Sequence, residues 1–151
     1  MPRIIILILL MSVASTVSAG CKQSDLAGRW EFNFNLSGVA HACRFFITEE
    51  GGINKGHCWK YETNWLSFRV VETDIGKIAF FVPPGITVNG YCKVEGLFFS
   101  VSGASPGPSY AFSLATGRLN LEKSIISGQM NLDSPNGSSV PGSASYTMVK
   151  Y

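Results

Sequence analysis

The chain has 151 residues, with 12 Lys and Arg against 10 Asp and Glu and a formal net charge of +2. A balance this close to neutral gives no electrostatic case for nucleic acid or an anionic membrane surface as a partner. The 10 Phe, 5 Tyr, 3 Trp and 16 Gly all lie beyond residue 19, and aromatics interleaved with turn formers describe a sheet protein rather than a helical one.

The first element is a leader. Arg3 precedes an unbroken apolar run from Ile4 to Met11, and small and polar residues follow down to Val17-Ser18-Ala19, the three-part pattern of a secretory signal. Polarity returns at Ser12, well short of the roughly 20 apolar residues a membrane-spanning helix requires. Cleavage after Ala19 is therefore expected, with residues 1–19 removed and 20–151 forming one exported domain, periplasmic or extracellular. Of the 151 residues, 151 − 19 = 132 remain, enough for a core that does not depend on staples. Loss of Arg3 leaves 11 cations against 10 anions, a net charge of +1. A lipoprotein reading competes, because Cys21 follows Ala19-Gly20. Lipid on Cys21 would leave three cysteines, an odd count for an oxidising compartment.

Beyond the leader no segment keeps the three-and-four apolar spacing of a buried helix face. Alternating strands are predicted at Trp30–Leu36, Ala42–Glu49, Gly56–Glu62, Leu66–Glu72 and Lys77–Val82, the last two joined by Thr73-Asp74-Ile75-Gly76. Pro83-Pro84-Gly85 stops that run, since proline cannot donate to a ladder. Further strands are expected at Ile86–Val88, Tyr91–Val94, Leu97–Val101, Tyr110–Leu114, Arg118–Leu121, Ile125–Leu132 and Ser143–Lys150. Ser102–Ser109 and Asp133–Gly142 read as surface loops. Short strands at regular spacing imply an all-β sandwich or barrel. Sequence neighbours that pair in turn favour an antiparallel up-and-down β-barrel.

The four cysteines fit that picture. If Glu50-Gly51 is a two-residue turn, cross-strand partners have numbers summing to 101, as those of Cys43 and Cys58 do. The remaining bridge is then Cys21 to Cys92, among three possible pairings. His41 and Cys43 near His57 and Cys58 also form a zinc-like ligand set. His57, however, alternates to the face opposite Cys58, and exported thiols oxidise, so no metal is expected.

No catalytic constellation stands out. Ser37, Ser67 and Ser100 lack a glycine-flanked elbow. Glu49 and Glu50 sit at a predicted hairpin tip as solvated charge, and Glu62, Glu72, Asp74 and Glu95 are scattered near strand ends. No carboxylate pair is spaced for glycoside chemistry. The chain thus reads as a non-enzyme without cofactor. Trp30, Trp59, Trp65 and Tyr61 cluster in the first half, either as core and end packing or as the lining of an apolar pocket. Arg69, expected opposite Phe81, is a candidate polar contact in that pocket or an outward residue whose stem covers the ring. Asn35-Leu36-Ser37 and Asn136-Gly137-Ser138 fit the glycosylation pattern.

Gly28-Arg29-Trp30 resembles the Gly-x-Trp opening the first strand of the calycin superfamily, whose meander barrels include lipocalins, avidins and bacterial metalloprotease inhibitors. The resemblance implies that Trp30 closes one barrel end with a basic residue of the last strand, Lys150, stacked on it by a cation–π contact. Over residues 25–82 the order Leu26-Ala27-Gly28-Arg29-Trp30, Cys43-Arg44-Phe45-Phe46-Ile47, Cys58 and Phe68 to Phe81 is similar to the inhibitor branch. That branch inserts an N-terminal arm into the protease cleft, whereas a bridge from Cys21 to Cys92 would pin the arm back. Asn33, Asn35 and Ser37 follow the Trp as polar biotin contacts do in avidins, although no tryptophan follows Trp65. The expected function is a lipocalin-like binding protein that takes a small apolar molecule inside or a protein at one rim. Its alternatives are a periplasmic or secreted protease inhibitor and a structural or accessory envelope protein.

Overall fold

The computed structural model describes residues 20–36, 38–78, 85–102, 110–133 and 142–151. Residues 1–19, expected to form a leader, the Pro83-Pro84 stop, Phe81, Ser37 and Asn136 lie outside the described residues. A single 3₁₀ turn, Gln23–Leu26, precedes nine strands: β1 (Gly28–Leu36), β2 (Val39–Ile47), β3 (Ile53–Asn64), β4 (Arg69–Ile78), β5 (Ile86–Val88), β6 (Lys93–Ser102), β7 (Tyr110–Leu119), β8 (Ile125–Asp133) and β9 (Gly142–Lys150). The domain is all-β and antiparallel, in the order β4-β3-β2-β1-β9-β8-β7-β6-β5. The sheet curls until β4 meets β6 at Lys77↔Ser102 and Ile78↔Val101, giving a barrel-like form. No helix among the described residues is long and apolar enough to cross a membrane.

Period-two alternation builds the core. In β1, Trp30, Phe32 and Phe34 are buried between more exposed neighbours; in β2, Cys43, Phe45 and Ile47 play the same part. Facing them are Ile53, Cys58, Val94, Ile126, Met130, Tyr146 and Met148, all buried. Phe32 lies 5.0 Å from Phe34 and 5.3 Å from Tyr146, centroid to centroid. Burying each large apolar side chain contributes roughly 1.5–3 kcal/mol. Tyr146 keeps its hydroxyl satisfied by donating to the Thr116 carbonyl at 3.1 Å, and burial pushes its pKa up.

Both disulfides join the expected partners. Cys43 and Cys58 face each other across β2 and β3 with Cα atoms 4.0 Å apart, and Cys21 is bonded to Cys92. The turn that delivers the first pair differs from expectation. Thr48 and Gly52 pair at its base, with the Thr48 N–H donating to the Gly52 carbonyl at 2.8 Å. Three residues, not two, therefore form the loop, and Gly51 takes φ +93. A bulge then restores the register: Phe46 pairs Asn54 while Arg44 pairs His57, so Lys55 and Gly56 together oppose Phe45.

Three further corrections concern strand number. Thr73-Asp74-Ile75-Gly76 is not a turn but a second bulge inside the continuous β4, which pairs β3 on both sides of it as Trp59↔Asp74 and Cys58↔Gly76. Asp74 accepts the Gly76 N–H at 2.8 Å, and Gly76 supplies φ +128, a conformation open to glycine. The reversal expected between Glu62 and Leu66 falls at Asn64–Phe68, where the Asn64 side chain accepts the Leu66 N–H at 2.9 Å and its backbone carbonyl accepts the Phe68 N–H at 2.8 Å. Likewise Tyr91–Val94 with Leu97–Val101, and Tyr110–Leu114 with Arg118–Leu121, become the bulged single strands β6 and β7.

Candidate functional site

The two ends of the barrel differ. One is plugged. Trp30 is fully buried and donates from its indole N–H to the Leu26 carbonyl at 2.7 Å. Lys150 Nζ sits 5.1 Å from the Trp30 ring centroid and donates to the Asp25 carbonyl at 2.7 Å; partial burial lowers its pKa. The N-terminal arm is fastened over this plug. Cys21 is bridged to Cys92, Leu26 is fully buried, and the Gln23 amide bonds Ile86 O and Val88 N at 2.7 and 3.1 Å. The arm is thus part of the fold.

At the other end β3 and β4 project as a hairpin beyond their neighbours. Every residue from Glu62 to Asp74 is exposed. On its tip Trp65, Leu66 and Phe68 are 83%, 95% and 84% exposed, and behind them Val70 and Val71 are exposed as well. The tip is held by the two Asn64 hydrogen bonds, and Phe68 takes φ +53, so three large apolar side chains stand on an ordered support. Between the hairpin and the β1–β2 turn lies a cleft of about 480 Å³ lined by Gly38, Val39, Tyr61, Glu62, Thr63 and Trp65.

Behind this mouth buried rings pack against one another among the described residues. His41, 8% exposed, stacks on Phe34 with ring centroids 5.0 Å apart, and its Nδ1 lies 2.9 Å from the Val39 carbonyl. Burial lowers its pKa, opposed by the Val39 hydrogen bond. Lys60, paired with His41 in register, contacts Glu62 at 3.3 Å.

The expected pocket residues therefore do not converge. Trp30 belongs to the plug and Trp65 to the tip. Trp59 lies on the outer face, 4.8 Å from the His57 ring and 5.9 Å from the Arg44 guanidinium. Arg69 is exposed opposite Asn64, its described partner, while Phe81 is outside the described residues. Only Tyr61 and Trp65 of the set meet, both lining the cleft beside the hairpin. His57 is paired with Asp74, which holds the Asp74 carboxyl below its ordinary range. All four cysteines are oxidised, and no group of three His, Cys, Asp or Glu among the described residues is placed to hold a metal.

Leu66 and Phe68 lie outside the aromatic set that the sequence offers as a site. Assigning Leu66–Glu72 to a strand hides them, and the readable signal was Asn64 before a four-residue run with no charge. Comparison of the chain with protein-family models, curated proteins and solved structures finds no match.

Proposed function

We propose that this chain is an exported, non-enzymatic binding protein that docks a protein partner through the projecting β3–β4 hairpin. The observation that carries the reading is the exposure of Trp65, Leu66 and Phe68 on a hydrogen-bonded tip. Large apolar side chains held in water on an ordered support mark an interaction site, and such anchors supply most of the energy at an interface core. Over residues 60–74 of the hairpin Lys60 and Arg69 stand against Glu62, Glu72 and Asp74, a net charge of −1, and Lys55 and Lys77 nearer its base bring the two strands together to +1. A near-balanced hairpin offers no polybasic attraction to an anionic lipid surface, and its large apolar side chains favour a partner with an apolar pocket. A secreted protease is one such partner, and the hairpin, not the fastened arm, would then enter its cleft.

A second reading is the calycin-like up-and-down barrel with a small apolar ligand. The Trp30 and Lys150 stack supports that resemblance, and the cleft beside Tyr61 offers the entrance. The filled layer of Phe32, Phe34, His41 and Tyr146 supports it less.

The test compares the mature protein with a Trp65→Ser, Leu66→Ser, Phe68→Asn variant, Asn being chosen because it tolerates positive φ. Proteins captured by each from the native extracellular or periplasmic fluid are quantified, and the candidate is purified and titrated. Loss of three anchors worth about 2 kcal/mol each should weaken binding by well over 100-fold. Equal affinity for both forms, or flotation of the wild type with neutral phosphatidylcholine vesicles, would overturn the reading.

A further inference from the structure

The bulge at Lys55 lies next to a groove on the outer face of the barrel, at the plugged end and away from the hairpin tip. The groove has a volume of about 440 Å³ and is lined by Arg29, Arg44, Phe46, Asn54, Lys55 and Tyr151. Four strands assemble it. Arg29 of β1 pairs Phe46 of β2, Phe46 pairs Asn54 of β3, and Tyr151, directly after β9, donates its N–H to the Arg29 carbonyl at 3.1 Å.

Two features of this groove call for a ligand. First, it gathers three cationic side chains and no Asp or Glu side chain among its lining residues. The nearest acid, Glu31, accepts from Arg44 Nε at 2.8 Å and raises the Arg44 pKa, leaving the two terminal guanidinium nitrogens for another acceptor. Second, Lys55 occupies the bulge position that ordinarily goes to glycine, at φ +50. A side chain in the left-handed region is strained, and such outliers gather where a side chain is being aimed for a purpose. Glycine follows immediately at residue 56, so the sequence has the usual residue at hand but holds a lysine at the strained place.

From this arrangement we infer that the outer groove of Arg29, Arg44, Lys55, Asn54 and Tyr151 is a binding site for an anionic saccharide, a uronic acid or a sulfated sugar. A bare inorganic anion would fill neither the volume of the groove nor the exposed ring of Tyr151, whereas a charged sugar does both. Tyr151, 60% exposed, offers a ring face on which the C–H face of a pyranose packs. The Arg44 guanidinium, 5.9 Å from that ring, supplies the planar fork that carboxylate and sulfate prefer. The volume suits one or two sugar rings rather than a long chain.

The test uses the full mature protein with both disulfides intact. Digalacturonate and a sulfated disaccharide are titrated by calorimetry and by amide shift mapping, with cellobiose and inorganic sulfate as controls. An anionic disaccharide should bind with shifts centred on Arg29, Lys55 and Tyr151, and the tighter of the two identifies the anion. Lys55→Gly relieves the backbone while removing the cation. It should leave the thermal midpoint unchanged or higher and weaken binding tenfold or more. Arg29→Gln, at an exposed position, should weaken binding comparably without loss of fold. Cellobiose binding as well as digalacturonate, sulfate alone reproducing the sugar's shifts and affinity, or Lys55→Gly binding within twofold of wild type would each overturn the assignment.

Discussion

Removing the Cys21–Cys92 bridge is expected to cost more stability than removing Cys43–Cys58, although only the latter is fully buried. The two bridges span sequence separations of 71 and 15 residues. In the chain-entropy picture closing the longer loop is worth about 4.4 kcal/mol at 25 °C and the shorter about 3 kcal/mol. The difference arises in the unfolded chain, not in the contacts of the folded one. Packing acts the other way, because Cys43→Ala with Cys58→Ala opens a void in the core and adds up to about 1 kcal/mol. The long bridge should still dominate, and its loss would take a third or more of a typical domain's stability. The thermal midpoint should fall by roughly 15–20 °C. Urea unfolding of the Cys21→Ala, Cys92→Ser variant against the Cys43→Ala, Cys58→Ala variant measures both. A loss under about 1 kcal/mol for the long bridge would refute the loop-entropy reasoning. It would mean that Leu26, Gln23 and the Trp30 hydrogen bond hold the arm in place even in the denatured chain.

Acidification should destabilise the fold through His41. Burial holds its folded pKa below the unfolded value of 6.5, so the unfolded chain binds the proton more readily. Stability is then full above about pH 6.5 and falls as pH drops toward the folded pKa; His41→Gln should flatten that slope, and a His41 resonance titrating at or above 6.5 would exclude the mechanism. Lys150→Met removes the cation over Trp30 and the bond to the Asp25 carbonyl, an expected loss of about 1–2 kcal/mol by chemical denaturation, whereas an unchanged midpoint would mean that the plug holds by apolar packing alone. At Gly128 an added Cβ would collide with the Thr116 carbonyl oxygen and the Gly117 backbone, neither of which can yield without breaking the β7–β8 ladder. Gly128→Ala should therefore cost at least about 2 kcal/mol; wild-type stability would show that the strands slide freely.

The all-β class, the positions of most strands and both disulfide partners are legible from alternation and cysteine arithmetic. The register at Cys43 and Cys58 came out through two compensating departures. The loop Glu49-Glu50-Gly51 has one residue more than the two-residue turn assumed, and the Lys55 bulge adds one back. Bulges were also what alternation misread elsewhere. Asp74-Ile75-Gly76 carries the residues of a turn, and only the partner strand decides whether the chain reverses or kinks there. The candidate site was less legible for a related reason. Trp30, Trp59 and Trp65 are near in sequence, but alternation and the length of β3 send them to the plug, the outer face and the tip. The outer groove draws on Arg29, Lys55 and Tyr151 from three distant stretches, with no motif to announce it.

Native mass spectrometry of the mature protein taken from its own source, beside the hairpin-tip variant, tests the central claim most directly. Docking through Trp65, Leu66 and Phe68 predicts that the wild type carries a protein-sized mass that the tip variant lacks, with no apolar molecule extractable into organic solvent from either. A stoichiometric apolar adduct of a few hundred daltons, retained equally by both forms and unaccompanied by a protein partner, would contradict it and return the function to the barrel interior.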